Sequence, residues 1–240
     1  MSRSEHCANA FRFVSDSDAI GAQSETRISV AIVDDHLMVA EVLAHIVSRE
    51  TDLELVGIAA SVAEALVLVE HHTPQVVLMD YLLPDDDGAA ATVKILKRWP
   101  ETKVVMFSGS SGNNVVARAI EAGCSGFLAK DRPASDVVAA VRAASRGELV
   151  LRSDELASLL SQFKSAPNQQ TQRLSARELE VLRLLARARS TDGIATELFL
   201  SIYTVRNHVS NILSKLGAHS KLEAVAIAAR DGIIPLEEIG

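Results

Sequence analysis

Residues 28–35, Ile28-Ser29-Val30-Ala31-Ile32-Val33-Asp34-Asp35, decide the reading of the chain. A short apolar run, largely β-branched and broken only by Ser29, is the pattern of a strand buried on both faces of a parallel sheet. Two carboxylates follow at its carboxyl end. Downstream, His36–Arg49 carries Val39, Val42, Leu43, Ile46 and Val47 at three- and four-residue spacing, one apolar helix face.

That unit repeats. Leu53–Ile58, Val76–Met79, Lys103–Phe107 and Gly126–Leu128 read as strands, with helices over Val62–His71, Ala89–Arg98, Asn114–Ala122 and Ser135–Ser145. Alternation at this pitch predicts an α/β doubly wound parallel five-stranded sheet. In such a sheet the functional crevice lies beyond the carboxyl ends of the strands, at the switch in strand order. The residues expected there are Asp34 and Asp35 after the first strand, Asp80 after the third, Ser108 after the fourth and Lys130 after the fifth. Carboxylates so close repel each other unless a cation intervenes, and a hard oxygen-seeking ion such as Mg2+ suits them.

Val33-Asp34-Asp35, Leu78-Met79-Asp80-Tyr81-Leu82-Leu83-Pro84, Phe107-Ser108-Gly109 and Phe127-Leu128-Ala129-Lys130 resemble the receiver domain of two-component response regulators over about residues 27–148. The resemblance implies that Asp80 accepts a phosphoryl group from a sensor histidine kinase. It also implies that Asp34, Asp35, Asp80 and the Leu82 carbonyl hold Mg2+, that Ser108 and Lys130 bind the phosphoryl oxygens, and that Phe127 is the aromatic switch. Phosphoryl transfer needs charge neutralisation and in-line positioning, which this residue set supplies. Taken singly, Asp34-Asp35 could be a helix cap, Ser108 a loop serine and Phe127 core filling. Asp86 departs from the family, which often has an apolar residue there; its charge would either weaken acyl-phosphate formation or serve the metal from its outer shell.

The net charge of −7 argues at first against a nucleic-acid partner. It divides unevenly. Residues 1–166 hold 15 Lys/Arg against 23 Asp/Glu, whereas 167–240 hold nine against eight, and Arg173–Lys221 hold eight against four. Two cysteines are too few for a disulfide framework. No apolar run approaches a membrane span and residues 1–26 read as a tail without a secretory h-region, so a cytoplasmic protein is expected. Residues 149–172 read as a linker with a short helix over Val150–Phe163, then a polar, uncharged stretch.

Beyond it the strand signals vanish. Ala176–Ala188 is an amphipathic helix opened by a capping box of Ser175 and Glu178; Asp192–Leu198 is a second; Ser201 caps a third with Val205, Val209, Ile212, Leu213 and Leu216 buried; Lys221–Arg230 is a fourth. The region 173–238 is therefore a C-terminal all-α four-helix domain, with helix-turn-helix proportions at about 192–211. Leu174-Ser175-Ala176-Arg177-Glu178-Leu179-Glu180-Val181-Leu182, Ile194-Ala195, Leu200-Ser201, Thr204-Val205-Arg206-Asn207-His208 and Lys215-Leu216-Gly217 resemble the LuxR-type DNA-binding domain. In that geometry the helix after the turn enters the major groove. Arg206, Asn207, Ser210 and Asn211 are then the base-reading face, with Thr204 and Lys215 at phosphates. Gly193 is a departure, expected to loosen its helix by about 1 kcal/mol.

The joint expectation is a response regulator of the NarL/FixJ type: a phosphorylation-controlled transcription factor rather than an enzyme. Its expected partners are a sensor histidine kinase, double-stranded promoter DNA and a second copy of itself, with RNA polymerase a further candidate. The receiver is expected to mask the recognition helix until Asp80 is phosphorylated, then to release it for dimerisation. The alanines of the last helix serve either that dimer or the domain's own core. The competing readings are a metal-dependent phosphohydrolase, a helical protein-interaction module, and a regulator whose receiver only dimerises, without phosphorylation.

Overall fold

In the computed structural model the described residues are 27–109, 113–150 and 174–235. The expected tail over 1–26, the helix after Val150 and the polar linker lie outside them. Five strands, β1 (Ile28–Val33), β2 (Leu53–Ala59), β3 (Val76–Asp80), β4 (Lys103–Ser108) and β5 (Gly126–Ala129), form one sheet in the order β2-β1-β3-β4-β5. Every neighbouring pair runs parallel. From β1 the chain winds one way to β2 and the other way to β3, so the switch point lies between the carboxyl ends of β1 and β3.

Alternation along the strands divides the core. Val30 and Ile32 of β1 pack with Ala40, Leu43 and Val47 of α1 (Leu37–Ser48) and Val137 and Val141 of α5 (Ala134–Ser145). Ala31 and Val33 belong to the opposite cluster, with α2 (Val62–His72), α3 (Gly88–Arg98) and α4 (Asn113–Glu121). All four of these β1 side chains are buried, as a run apolar on both faces requires. Gly88 marks the tightest approach: a Cβ there would stand 2.1 Å from the Asp80 carbonyl oxygen, so only glycine lets α3 begin against the end of β3.

The C-terminal unit consists of α6 (Ala176–Ala186), α7 (Thr191–Glu197), α8 (Ile202–Leu216) and α9 (Lys221–Arg230). The capping box of Ser175 and Glu178 forms at α6. That helix ends two residues earlier than expected, since Ala188 turns to φ 52°. Ser201 caps α8, and Gly217 closes it at φ 66°. Gly193 lies within α7, in its first turn. It is the third residue of α7, its N–H bonds the Ser190 cap, and a Cβ would come within 3.2 Å of that hydroxyl oxygen. No described helix is long and apolar enough to cross a membrane.

The two units touch. The apolar cluster that contains Val116, Ala119 and Ile120 of α4 continues through Leu222, Val225 and Ala226 of α9. At this seam a Cβ on Gly123 would meet the His219 Cβ at 3.0 Å. Beside it a cavity of about 120 Å³ is lined by Lys103, Gly147 and Glu148 of the first unit and Val209, His219 and Lys221 of the second. Ala224, Ala226 and Ala228 are buried within the chain, in the cluster that joins the helical unit to α4.

Candidate functional site

At the switch point, carboxylates from two strands meet one ammonium. Asp34 and Asp80 are 2% and 3% exposed, which few carboxylates tolerate without a counter-charge. Lys130, just past β5, supplies it: its Nζ lies 2.6 Å from Asp34 Oδ2 and 2.8 Å from Asp80 Oδ2. Burial pushes the Asp80 carboxyl above its ordinary value; the Lys130 bond works against this and the Asp34 charge adds to it. Burial also works against the Lys130 charge, but its bonds to Asp34 and Asp80 outweigh that and hold it above the ordinary value.

Donor atoms of Asp34, Asp35, His36 and Asp80 lie within 4.8 Å of one another. His36 was not among the expected site residues. It caps no bond of α1 with its side chain; its Nδ1 sits 2.8 Å from Asp35 Oδ1 and its N–H donates to Asp34 Oδ1 at 2.9 Å. Its place directly after Asp34-Asp35 was the available signal. Three carboxylates, two of them buried against a single ammonium, are a donor set that fits a hard divalent cation.

The other expected members gather around this centre. Ser108 ends β4 at 1% exposure, and its carbonyl accepts from the Lys130 N–H at 2.9 Å, tying the ends of β4 and β5 together. The Leu82 N–H donates to Asp80 Oδ1 at 3.3 Å, while its side chain is exposed. Phe127 is buried in the cluster that holds Val116 and Ile120 of α4, so core packing and contact with α4 coincide at this residue.

The acidic run after β3 turns out to be divided among structural partners. Asp85 accepts from the Val62 and Ala63 N–H groups at 2.9 and 3.0 Å, capping α2 from a distant loop. Those bonds hold its carboxyl below the ordinary value. Asp86 pairs with Lys94 at 2.9 Å, which likewise lowers its carboxyl, and it stands outside the carboxylate cluster. Asp87 caps α3 through the Ala90 N–H at 2.7 Å and reaches Arg118 of α4 at 2.6 Å.

In the helical unit, Val205, Val209, Ile212 and Leu216 turn inward. Arg206, Asn207, Ser210 and Asn211 are all exposed on α8. The expected masking of this helix is therefore not the arrangement seen: the first unit meets α9, and the outward face of α8 stays open. Thr204 is half-buried, its hydroxyl 2.8 Å from Ser201 Oγ within the helix cap. Lys215 differs from expectation. Its Nζ bonds both oxygens of buried Glu178, at 3.0 and 2.7 Å, joining α8 to α6. Burial disfavours the Glu178 charge, yet Lys215 and the Ser175 cap hold its carboxyl below the ordinary value. An ammonium so committed is a core tie rather than a free phosphate contact.

Comparison with known proteins follows the same division. Residues 30–142 match the response regulator receiver domain, and residues 172–228 match bacterial regulatory proteins of the luxR family. The response regulator protein VraR of Staphylococcus aureus strain Mu3 is 37% identical over 207 residues, 86% of this chain and 99% of its own. A two-component response regulator of the LuxR family from Aurantimonas sp. SI85-9A1 superposes with TM-score 0.53 at 28% identity, over 57% of this chain and 97% of its own. The response regulator RcsB, solved in complex with DNA, shares the fold at TM-score 0.52 and 21% identity, over 85% and 99% of the two chains.

Proposed function

The chain belongs to the two-component response regulators with a LuxR-type DNA-binding output domain, and from that premise we propose that it is switched by phosphorylation of Asp80. The observation that carries this is the Lys130 ammonium bridging buried Asp34 and Asp80 at the switch point. An Asp80 oxygen attacks the phosphorus of a phosphohistidine on a sensor kinase. The bond to the histidine nitrogen breaks and an acyl phosphate forms. Lys130 then leaves the Asp80 carboxylate for a phosphoryl oxygen, and the Ser108 hydroxyl donates to another. Asp34, Asp35 and Asp80, with the Leu82 carbonyl, would hold Mg2+, whose charge offsets that of the carboxylates and the incoming phosphoryl group.

The consequence travels along β4 and β5. Movement of Ser108 and Lys130 shifts the ends of β4 and β5, and Phe127 of β5 shares an apolar cluster with Val116 and Ile120 of α4. Since α4 shares its apolar cluster with α9, this loosens the seam between the units rather than uncovering α8 directly. Release frees the output domain to pair with a second copy, so that two α8 helices reach half-sites one helical turn apart on promoter DNA, in the cytoplasm. The receiver spans about 27–148 and the output domain 173–238; RNA polymerase is a candidate downstream partner.

The test measures mass and promoter-fragment binding after incubation with Mg2+ and a small phosphodonor. The parent should gain one phosphate and bind more tightly, Asp80→Asn should do neither, and Arg206→Ala should be phosphorylated without binding specifically. Phosphate incorporation that leaves DNA affinity unchanged would refute the switch. Tight binding by Asp80→Asn, equal to that of the phosphorylated parent, would instead favour a receiver that only dimerises.

A further inference from the structure

The turn before the candidate DNA-reading helix and that helix's first two residues expose three large apolar side chains within five positions: Phe199 is 96% exposed, Ile202 43% and Tyr203 74%. Scattered single residues of this kind are ordinary, but a contiguous group is not. Phe199 sits at φ 54° in the turn, which Arg177 fixes through a bond from Nη2 to the Leu198 carbonyl at 2.7 Å. Tyr203 is the second residue of α8. At 3.6 residues per turn it lies within about 80° of each of Arg206, Asn207, Ser210 and Asn211. It also lies opposite buried Val205, Val209, Ile212 and Leu216. Tyr203 therefore heads the same outward stripe as the expected base-reading residues, at the end of the helix that enters the groove deepest in helix-turn-helix docking.

We propose that Tyr203 is a sequence-determining DNA contact, its ring packed on the 5-methyl group of a thymine in the major groove; this rests on the DNA-binding reading of α8. The chemistry suits the position. A thymine methyl is an apolar feature of the major groove, read by apolar contact rather than hydrogen bonding. An aromatic ring with only two side-chain torsions covers it at low entropic cost. Being neutral, Tyr203 displaces no counterion, so its contribution should be insensitive to salt, unlike that of Arg206. The side chain is mostly exposed, so its replacement leaves the domain's core untouched.

Duplexes selected from a random library by the full-length phosphodonor-treated chain provide the probe. Each thymine of the selected duplex is replaced in turn by deoxyuridine, which removes only the methyl group. The parent should lose about three- to fivefold in affinity at one position per half-site, the worth of a buried methyl. Tyr203→Ala should bind the thymine duplex about tenfold more weakly. It should have lost the deoxyuridine effect and should keep the parent's salt dependence, whereas Tyr203→Phe retains both affinity and methyl sensitivity. Tyr203→Ala binding with unchanged affinity and unchanged methyl sensitivity overturns the proposal. If that variant binds DNA normally but fails in transcription by RNA polymerase, the patch is a protein-docking surface and the proposal falls. Arg206→Ala, measured alongside, separates the premises: specific binding lost there while Tyr203→Ala keeps the parent's affinity and methyl sensitivity refutes the thymine contact alone, and parental binding by both variants refutes the reading of α8 as well.

Discussion

Lys130 Nζ lies 2.8 Å from Asp80 Oδ2 and 2.6 Å from Asp34 Oδ2, so one ammonium is the counter-charge shared by two almost fully buried carboxylates. Its removal leaves that pair facing each other. Lys130→Ala should lower the stability of the metal-free protein by about 3 kcal/mol, the usual cost of stripping a buried ion of its partner. Mg2+ should then raise the melting temperature of this variant more than that of the parent, because without the competing ammonium the carboxylates bind the cation more tightly and a ligand stabilises more the tighter it binds the native state. Equal Mg2+ effects on both proteins would mean that the carboxylates do not share a cation.

In the sequence Asp86 could either weaken acyl-phosphate formation or serve the metal from its outer shell. Its carboxylate is instead occupied by Lys94, on an exposed flank. Asp86→Met should therefore change the rate of phosphate incorporation by no more than about twofold, the scale of an exposed ion pair. A much faster reaction in the variant would show that the charge does reach the site.

The Glu178–Lys215 pair should dominate the acid sensitivity of the output domain. Glu178 is held below its ordinary value of 4.5. The stability it contributes is thus fully present above that value and is lost as pH falls through the lower folded value. Glu178→Gln should destabilise the helical unit by about 2–3 kcal/mol near neutrality and flatten its stability profile below pH 4.5. Thermal unfolding of the full chain across that range reads both effects.

Gly123 tests the seam between the units. It adopts φ 88°, and a Cβ there would meet both the His219 Cβ and the Leu96 Cδ1 at about 3 Å. Gly123→Ala should cost about 1 kcal/mol in backbone strain. It should also part the units, raising the radius of gyration in small-angle scattering and the DNA affinity of the unphosphorylated protein. Combining it with His219→Gly should restore compactness while leaving the strain. A Gly123→Ala protein as compact as the parent would place the seam elsewhere.

Much of this molecule was legible in its sequence, because local chemistry carried it. Strands buried on both faces must be apolar throughout, so β1 and β3 announced themselves, and strand ends in a doubly wound sheet place Asp34, Asp80, Ser108 and Lys130 without further information. The capping box at Ser175 and the helix stop at Gly217 follow from hydrogen-bond and dihedral needs of single residues. Partner choice was another matter. Asp85 capping α2, Asp86 held by Lys94, Asp87 reaching Arg118 and Lys215 tied to Glu178 are pairings across space, and a charged residue's spacing along the chain does not say which opposite charge or orphan N–H it will meet. The same limit applied to the units. That their contact falls on α4 and α9, leaving the outward face of α8 open, was decided by the packing of apolar faces whose complementarity exists only once both are folded.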